Sequence, residues 1–315
     1  MTTFDLEQLA GLLGDGGMVE TDVPLGHRTT YRVGGTGAVV VTLLNVAAAE
    51  AFADWLPESV PVAVLGNGSN VLVADEGFSG ITVHLAGQFD DIVLEGSLVT
   101  CGGGADLPKV ARRSVEAALT GFEWAVGVPG TVGGALMMNA GGHGSSIEES
   151  LKEATVLNLR TGVLSVRSVT EFSFGYRHSN LHAHEVVLFA TFALATGNRE
   201  AGLEQLKDIV AWRRAHQPGG QNCGSVFVNP PKAAAGQLIE ACGLRGRRHG
   251  TAEVSEKHAN FIQADPDGLA ADVIALIGEV ANEVRAKRGL SLSTELKVLS
   301  DHPENLPSLL RSVTS

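Results

Sequence analysis

The run Val64-Leu65-Gly66-Asn67-Gly68-Ser69-Asn70-Val71-Leu72-Val73 sets a tight glycine turn between two apolar, β-type segments. A dinucleotide fingerprint of the Rossmann kind passes from a strand through Gly-x-Gly-x-x-Gly into a helix, whose N-terminus receives the pyrophosphate. Here Val71 stands at the third glycine position, and Val71-Leu72-Val73-Ala74 continues as strand. The turn therefore offers backbone N–H groups to an anion from a strand–turn–strand nest. A second loop, Gly127-Val128-Pro129-Gly130-Thr131-Val132-Gly133-Gly134, repeats the chemistry about sixty residues on. Two such loops without a Rossmann or P-loop helix point to a diphosphate cofactor held by a different, α+β fold.

At 315 residues the chain is long for one hydrophobic core, so two or three subdomains are expected. Its net charge of −12 argues against nonspecific nucleic-acid binding, which needs a basic surface to release counterions. An anionic small ligand needs only a local cluster of donors. Cys101, Cys223 and Cys242 are few and far apart, the usage of a reducing compartment rather than a disulfide framework. The start, Met1-Thr2-Thr3-Phe4-Asp5-Leu6-Glu7, lacks the basic flank and apolar core of a signal peptide. The longest apolar stretch, around 186–195, falls well short of the roughly 20 residues that span a bilayer. A cytoplasmic protein with no membrane or nucleic-acid partner is expected.

The pattern predicts a leading helix over 5–14, a strand at 39–43 and an alanine-rich helix over 46–55. Short strands follow near 62–65, 71–74, 81–85, 92–94 and 98–101. Asp106 and Pro108 open a helix that Gly121 closes, and Arg160-Thr161-Gly162 turns a hairpin. Residues 186–194 read as strand. The register changes near Thr196-Gly197-Asn198, where a domain boundary at 197 is placed; helices then end at Arg213-Arg214, at Cys242-Gly243 and at Gly289, the last with an apolar stripe of Leu269, Val273, Leu276, Ile277, Val280 and Val284 and with Arg285, Lys287 and Arg288 in its final turn. Residues 301–315 read as a loosely held tail.

Four polar clusters can carry chemistry. In Phe174-Gly175-Tyr176-Arg177-His178-Ser179 the arginine fork can clamp a carboxylate or phosphate. In Asn222-Cys223-Gly224-Ser225-Val226-Phe227 a hydroxyl projects after a glycine turn, but no Gly-x-Ser-x-Gly elbow surrounds it, which excludes a hydrolase of that type. Ser255-Glu256-Lys257-His258-Ala259-Asn260-Phe261 precedes an apolar strand, and Glu295 sits in the strand-like Leu292-Ser293-Thr294-Glu295-Leu296-Lys297-Val298. His178, His182 and His184 lack the helical frame and further ligands of a metal site, with only Glu185 at hand, so no metal is expected.

Taken in order, these clusters resemble the UDP-N-acetylenolpyruvoylglucosamine reductases. The likeness runs through Thr29-Thr30-Tyr31-Arg32-Val33-Gly34-Gly35, Leu65-Gly66-Asn67-Gly68-Ser69-Asn70 and Glu123-Trp124-Ala125-Val126-Gly127-Val128-Pro129-Gly130-Thr131-Val132-Gly133-Gly134. It continues through Met138-Asn139-Ala140-Gly141, Phe174-Gly175-Tyr176-Arg177, Gly224-Ser225-Val226-Phe227-Val228-Asn229-Pro230 and Val254-Ser255-Glu256-Lys257-His258-Ala259-Asn260-Phe261. The resemblance implies the vanillyl-alcohol-oxidase (PCMH-type) FAD-binding fold: two α/β subdomains over 1–196, split near 85, and an α+β UDP-sugar domain over 197–300.

It further implies non-covalent FAD, its pyrophosphate held by Gly66, Asn67, Gly68, Ser69 and Asn70 and by Val128, Pro129, Gly130, Thr131, Gly133 and Gly134. NADPH is the implied reductant, and the implied reaction reduces an enolpyruvyl ether to UDP-N-acetylmuramate in peptidoglycan synthesis. Ser225 is the implied proton donor, Arg177 and Glu295 the implied stabilisers of an enolate-like species, and Tyr176 and Asn229 the implied substrate contacts. Val228, His178 and Ser293 depart from residues common in the family; none of them touches the Arg177, Ser225 and Glu295 set. A flavin oxidase of the same fold, or a binding protein without activity, remains the alternative.

Overall fold

A computed structural model of the chain describes residues 5–231 and 233–311. Residues 1–4 of the expected leader-free start and 312–315 of the expected tail lie outside the described residues. The contacts divide the chain into two compact units. One comprises residues up to Thr21, Val39–Gly66 and Gly80–Arg213; the other comprises Asp22–Ala38, Asn67–Ser79 and everything from Arg214 on. The change of unit at Arg213 falls inside the helix Arg199–His216, later than the boundary at 197 read from the sequence.

The first unit carries two larger sheets. In the first, the strands Gly17–Val23, Gly37–Leu43, Phe78–Leu85 and Val62–Val64 lie side by side in that order. The helix Val46–Trp55 starts where the Asn45 side chain accepts the Ala48 N–H at 2.9 Å, the N-cap contact that satisfies one orphan donor. The second sheet is antiparallel throughout, in the order Leu164–Ser168, Leu151–Asn158, Glu185–Ala193, Leu98–Gly102 and Ile92–Glu95. Its core, with Val99, Phe122, Trp124, Leu136, Val156 and Phe192, also takes in the helices Leu107–Glu116 and Val132–Met137.

The second unit is built on the helix Ala270–Arg288, whose buried stripe of Val273, Leu276, Ile277, Val280 and Val284 is the one the sequence predicts, less its first member Leu269, which is exposed at the N-cap. The Asp75 carboxylate accepts the Ala270 and Ala271 N–H groups at 2.9 and 2.8 Å, placing an anion on the positive end of the helix. Gly289 closes it in the left-handed conformation, φ 66°. The same core covers the strands Arg248–His249, Ala252–Val254 and Ile262–Ala264, and Lys297–Leu299 pairs in parallel with Val71–Val73.

Three expectations change. The helix opened by Pro108 ends at Glu116, not at Gly121, because Ala118 takes a left-handed φ of 57° ahead of the short strand Leu119–Thr120. A six-residue helix, Val132–Met137, begins inside the second glycine loop and takes in its last three residues, where no helix is expected. The described part of the tail is tied down: Leu306 and Leu310 are buried in the second core, and the Asp301 carboxylate accepts the Ser79 N–H at 2.8 Å.

Backbone closeness at Gly103 holds the second sheet to the loop that follows it. A Cβ there would lie 1.8 Å from the Val187 carbonyl oxygen, and its N–H donates to Leu188 O at 2.8 Å. Gly103→Ala is therefore expected to lose about 1–3 kcal/mol in urea unfolding, the cost of overpacking a tight site. Gly142→Ala, where a Cβ meets nothing within 4 Å, should stay within about 0.5 kcal/mol of wild type. Equal stability of the two variants would contradict this reading.

Candidate active site

In the first unit Gly66 lies against Thr131, since a Cβ on Gly66 would sit 2.3 Å from Thr131 Oγ1. Glycine is what lets the two loops meet there. Thr131 caps the short helix by accepting the Gly134 N–H at 3.3 Å, while Val132 and Gly133 donate to Ala105 O and Gly103 O at 2.9 and 2.8 Å. Val128 donates to Ala125 O at 3.0 Å. So Val128, Gly133 and Gly134 give their N–H groups to the protein. Among the described residues the N–H groups of Gly130 and Thr131 donate to no backbone carbonyl.

Sequence reasoning missed the triplet Gly102-Gly103-Gly104, which supplies the acceptor for Gly133. Three glycines at the end of a β-type run were its visible signal. It also passed over Arg213, read only as a helix end. The Arg213 Cδ lies 3.0 Å from where a Gly127 Cβ would be, and burial lowers the pKa of its guanidinium.

Arg177 and Tyr176 are the two central residues of a tight turn in which Gly175 and His178 exchange backbone hydrogen bonds of 3.0 and 3.2 Å. Tyr176 is 59% exposed, with the Arg177 guanidinium carbon 5.2 Å from its ring centroid. Arg177 has φ 56° and donates from Nη2 to Gly141 O at 3.0 Å. The nearby histidine run has a different task. His182 and His184 stack at 5.3 Å, and the buried Glu185 carboxylate takes the Arg167 guanidinium and the His182 N–H. Burial pushes the Glu185 carboxyl up, but these two donors outweigh it and hold it below the usual range.

In the second unit the 67–70 turn folds onto Thr29 and Thr30. Gly68 has φ 59°, and a Cβ there would lie 2.6 Å from Thr29 Cα and 2.8 Å from Arg28 O. Its carbonyl accepts the Thr30 N–H at 3.1 Å. Among the described residues the N–H groups of Gly68, Ser69 and Asn70 donate to no backbone carbonyl. The Asn70 side chain turns the other way, donating to the Glu295 carbonyl at 2.9 Å.

Ser225 and Glu295, far apart in sequence, come onto paired segments. Glu295 N–H donates to Val226 O at 2.8 Å, Val228 N–H to Ser293 O at 2.9 Å, and Phe227 and Thr294 form an antiparallel bridge. On the other side Asn260, 3% exposed, accepts the Phe227 N–H at 3.0 Å and donates to Phe227 O at 2.8 Å. Its backbone carbonyl takes the Val226 N–H at 2.8 Å. Asn260 thus serves as a one-residue strand partner, a role its place in a polar cluster did not disclose.

Cys223 is not a nucleophile at neutral pH: burial pushes its thiol up to about 12, and it lies beside Tyr31 and Glu295. Tyr31 is fully buried and donates to Ile262 O at 3.0 Å. Asn229, expected at the substrate, accepts the Ala235 N–H at 2.9 Å and so opens the helix Ala235–Ala241.

Residues 37–166 match the family described as FAD binding domain, and residues 216–299 match the C-terminal domain of UDP-N-acetylenolpyruvoylglucosamine reductase. The chain is 38% identical over 303 residues to the UDP-N-acetylenolpyruvoylglucosamine reductase 2 of Symbiobacterium thermophilum, covering 94% of this chain and 97% of that one. It is 40% identical over 286 residues to the reductase of Heliobacterium modesticaldum, covering 88% and 90%. The crystal structure of the reductase from Thermus caldophilus superposes with a TM-score of 0.79 at 33% identity, covering 90% of this chain and all of that one. With two domain matches and relatives aligned over nearly the whole chain, the chain belongs to the UDP-N-acetylenolpyruvoylglucosamine reductase family.

Proposed function

We propose that this protein reduces the enolpyruvyl ether of UDP-N-acetylglucosamine-enolpyruvate to UDP-N-acetylmuramate in peptidoglycan synthesis, in the cytoplasm, with FAD as resident cofactor and NADPH as reductant. The observation that carries the reading is the end-to-end likeness to reductases of this activity, 38% identical over 94% of the chain. The residues present fit FAD. Gly66 and Gly68 leave no room for a Cβ, and the N–H groups of Gly68, Ser69, Asn70, Gly130 and Thr131 suit a diphosphate. No histidine or cysteine lies in 66–70 or 128–134, which favours a non-covalent complex. No helix among the described residues is long and apolar enough to cross a membrane.

FAD, when bound, supplies the hydride that adds to C3 of the enolpyruvyl group. The protein must then manage the negative charge that this addition puts on C2 and the adjoining carboxylate. Arg177 is the cation proposed for that carboxylate, its planar fork matching the two oxygens. Ser225 is the proposed donor of the proton to C2. A hydroxyl is a poor acid in water, so its competence rests on aim and on exclusion of solvent. Glu295 is proposed to act protonated or through a shared hydrogen bond, because a bare carboxylate would oppose the developing charge.

The purified protein should be yellow, be bleached by NADPH without oxygen, and regain its colour on anaerobic addition of the enolpyruvyl sugar nucleotide. Denaturation should release all flavin. Recovery of colour with oxygen alone would make the protein an oxidase, and absence of bleaching a binding protein. Gly68→Val should purify folded but without flavin, since a branched side chain there meets Thr29 and Arg28 in a left-handed conformation. Full flavin in that variant would remove residues 66–70 from the cofactor site.

A further inference from the structure

The turn that carries Arg177 is held in a conformation its own residues do not favour. In a two-residue turn a positive φ at the second central position belongs to glycine or asparagine, yet Arg177 occupies it at 56°. Such a residue persists only where its surroundings over-determine it. Three contacts from residues 137–141 do so. Ser179 Oγ donates to Met137 O at 2.8 Å, and Arg177 Nη2 donates to Gly141 O at 3.0 Å. Between them the Asn139 side chain donates to Gly175 O at 3.0 Å.

We propose that Asn139 is a positioning residue for Arg177, its amide fixing the 175–178 turn so that the guanidinium is presented to the substrate carboxylate. The proposal rests on the functional reading above, in which Arg177 binds that carboxylate. Asn139 is 5% exposed and sits at φ 40°, a left-handed conformation that asparagine tolerates better than most residues. Its two amide atoms do different things. Oδ1 accepts the Glu148 N–H at 3.1 Å, at the start of the helix Ile147–Ser150. Nδ2 donates to Gly175 O and, at 3.3 Å, to Glu148 Oε2. Gly175 O also accepts the His178 N–H, so one carbonyl joins the turn's own closure to the 137–141 segment. Capping the helix needs only an acceptor. Holding the turn needs the donor, which an aspartate lacks.

That difference makes the proposal testable. Asn139→Asp keeps the acceptor for Glu148 N–H and removes the donor to Gly175 O. Combining it with Glu148→Gln relieves the repulsion of two facing carboxylates, with Glu148→Gln alone as the reference. The double variant and Asn139→Ala should retain flavin and the rate of the reductive half-reaction with NADPH. For the enolpyruvyl sugar nucleotide both should lose about 10- to 100-fold in kcat/KM, with a raised KM and a slower oxidative half-reaction per bound flavin. A double variant as active as its reference would make Asn139 a helix cap only and overturn the proposal, as would an equal loss in both half-reactions. Wild-type protein that fails to turn over the sugar nucleotide would instead overturn the functional reading itself.

Discussion

Residues 225–228 are an extended segment that belongs to no sheet, joined to Thr294 by a single bridge at Phe227, and the second unit's part of the proposed site depends on how they are held. On one side they pair with 293–295 through two backbone hydrogen bonds; on the other, the Asn260 amide satisfies both polar groups of Phe227. A buried peptide group left unpaired costs about 1–3 kcal/mol, so the amide does for Phe227 what a neighbouring strand does elsewhere. With that pairing in place, Ser225 and Glu295 are fixed in register although 70 positions part them in the chain. Asn70 joins the same arrangement from the cofactor turn, through the Glu295 carbonyl. The turn proposed to hold FAD and the extended segment proposed to serve the substrate are thereby parts of one hydrogen-bonded network.

An acidic chain of net charge −12 suits anionic ligands because the proposed contacts are dipoles rather than a basic surface. Backbone N–H groups at Gly68, Ser69 and Asn70, and at Gly130 and Thr131, are the proposed donors, and they add no charged side chain. Full charges are few and placed individually: Arg177 on a strained turn, and Arg213 partly buried beside Gly127.

Much of this was legible in the sequence. The strand–turn–strand around Gly68, the long stripe from Val273 to Val284 and the basic turn before Gly289 follow directly from periodicity and turn chemistry. The family was legible from the order of its motifs and is borne out by relatives aligned nearly end to end. What escaped is what acts across distance. Nothing local marks the Asn139 amide as a partner of the 175–178 turn or the Asn260 amide as a partner of Phe227, because those partners lie 36 and 33 residues away. Ala118 ended a helix early by taking a conformation its type disfavours, against the local preference for Gly121. The tail read as loose because its anchors, Leu306 and Leu310, are isolated apolar residues whose core is assembled from elsewhere in the chain.

The central claim is that Ser225, placed by this pairing, delivers the proton to C2. Stopped-flow measurement of the two half-reactions in Ser225→Ala tests it most directly. The account predicts an unchanged reductive half-reaction with NADPH and an oxidative half-reaction slowed by about 10²- to 10⁴-fold, with Ser225→Cys retaining more activity than the alanine variant. An alanine variant whose oxidative half-reaction runs at the wild-type rate would contradict it and leave Ser225 a turn residue.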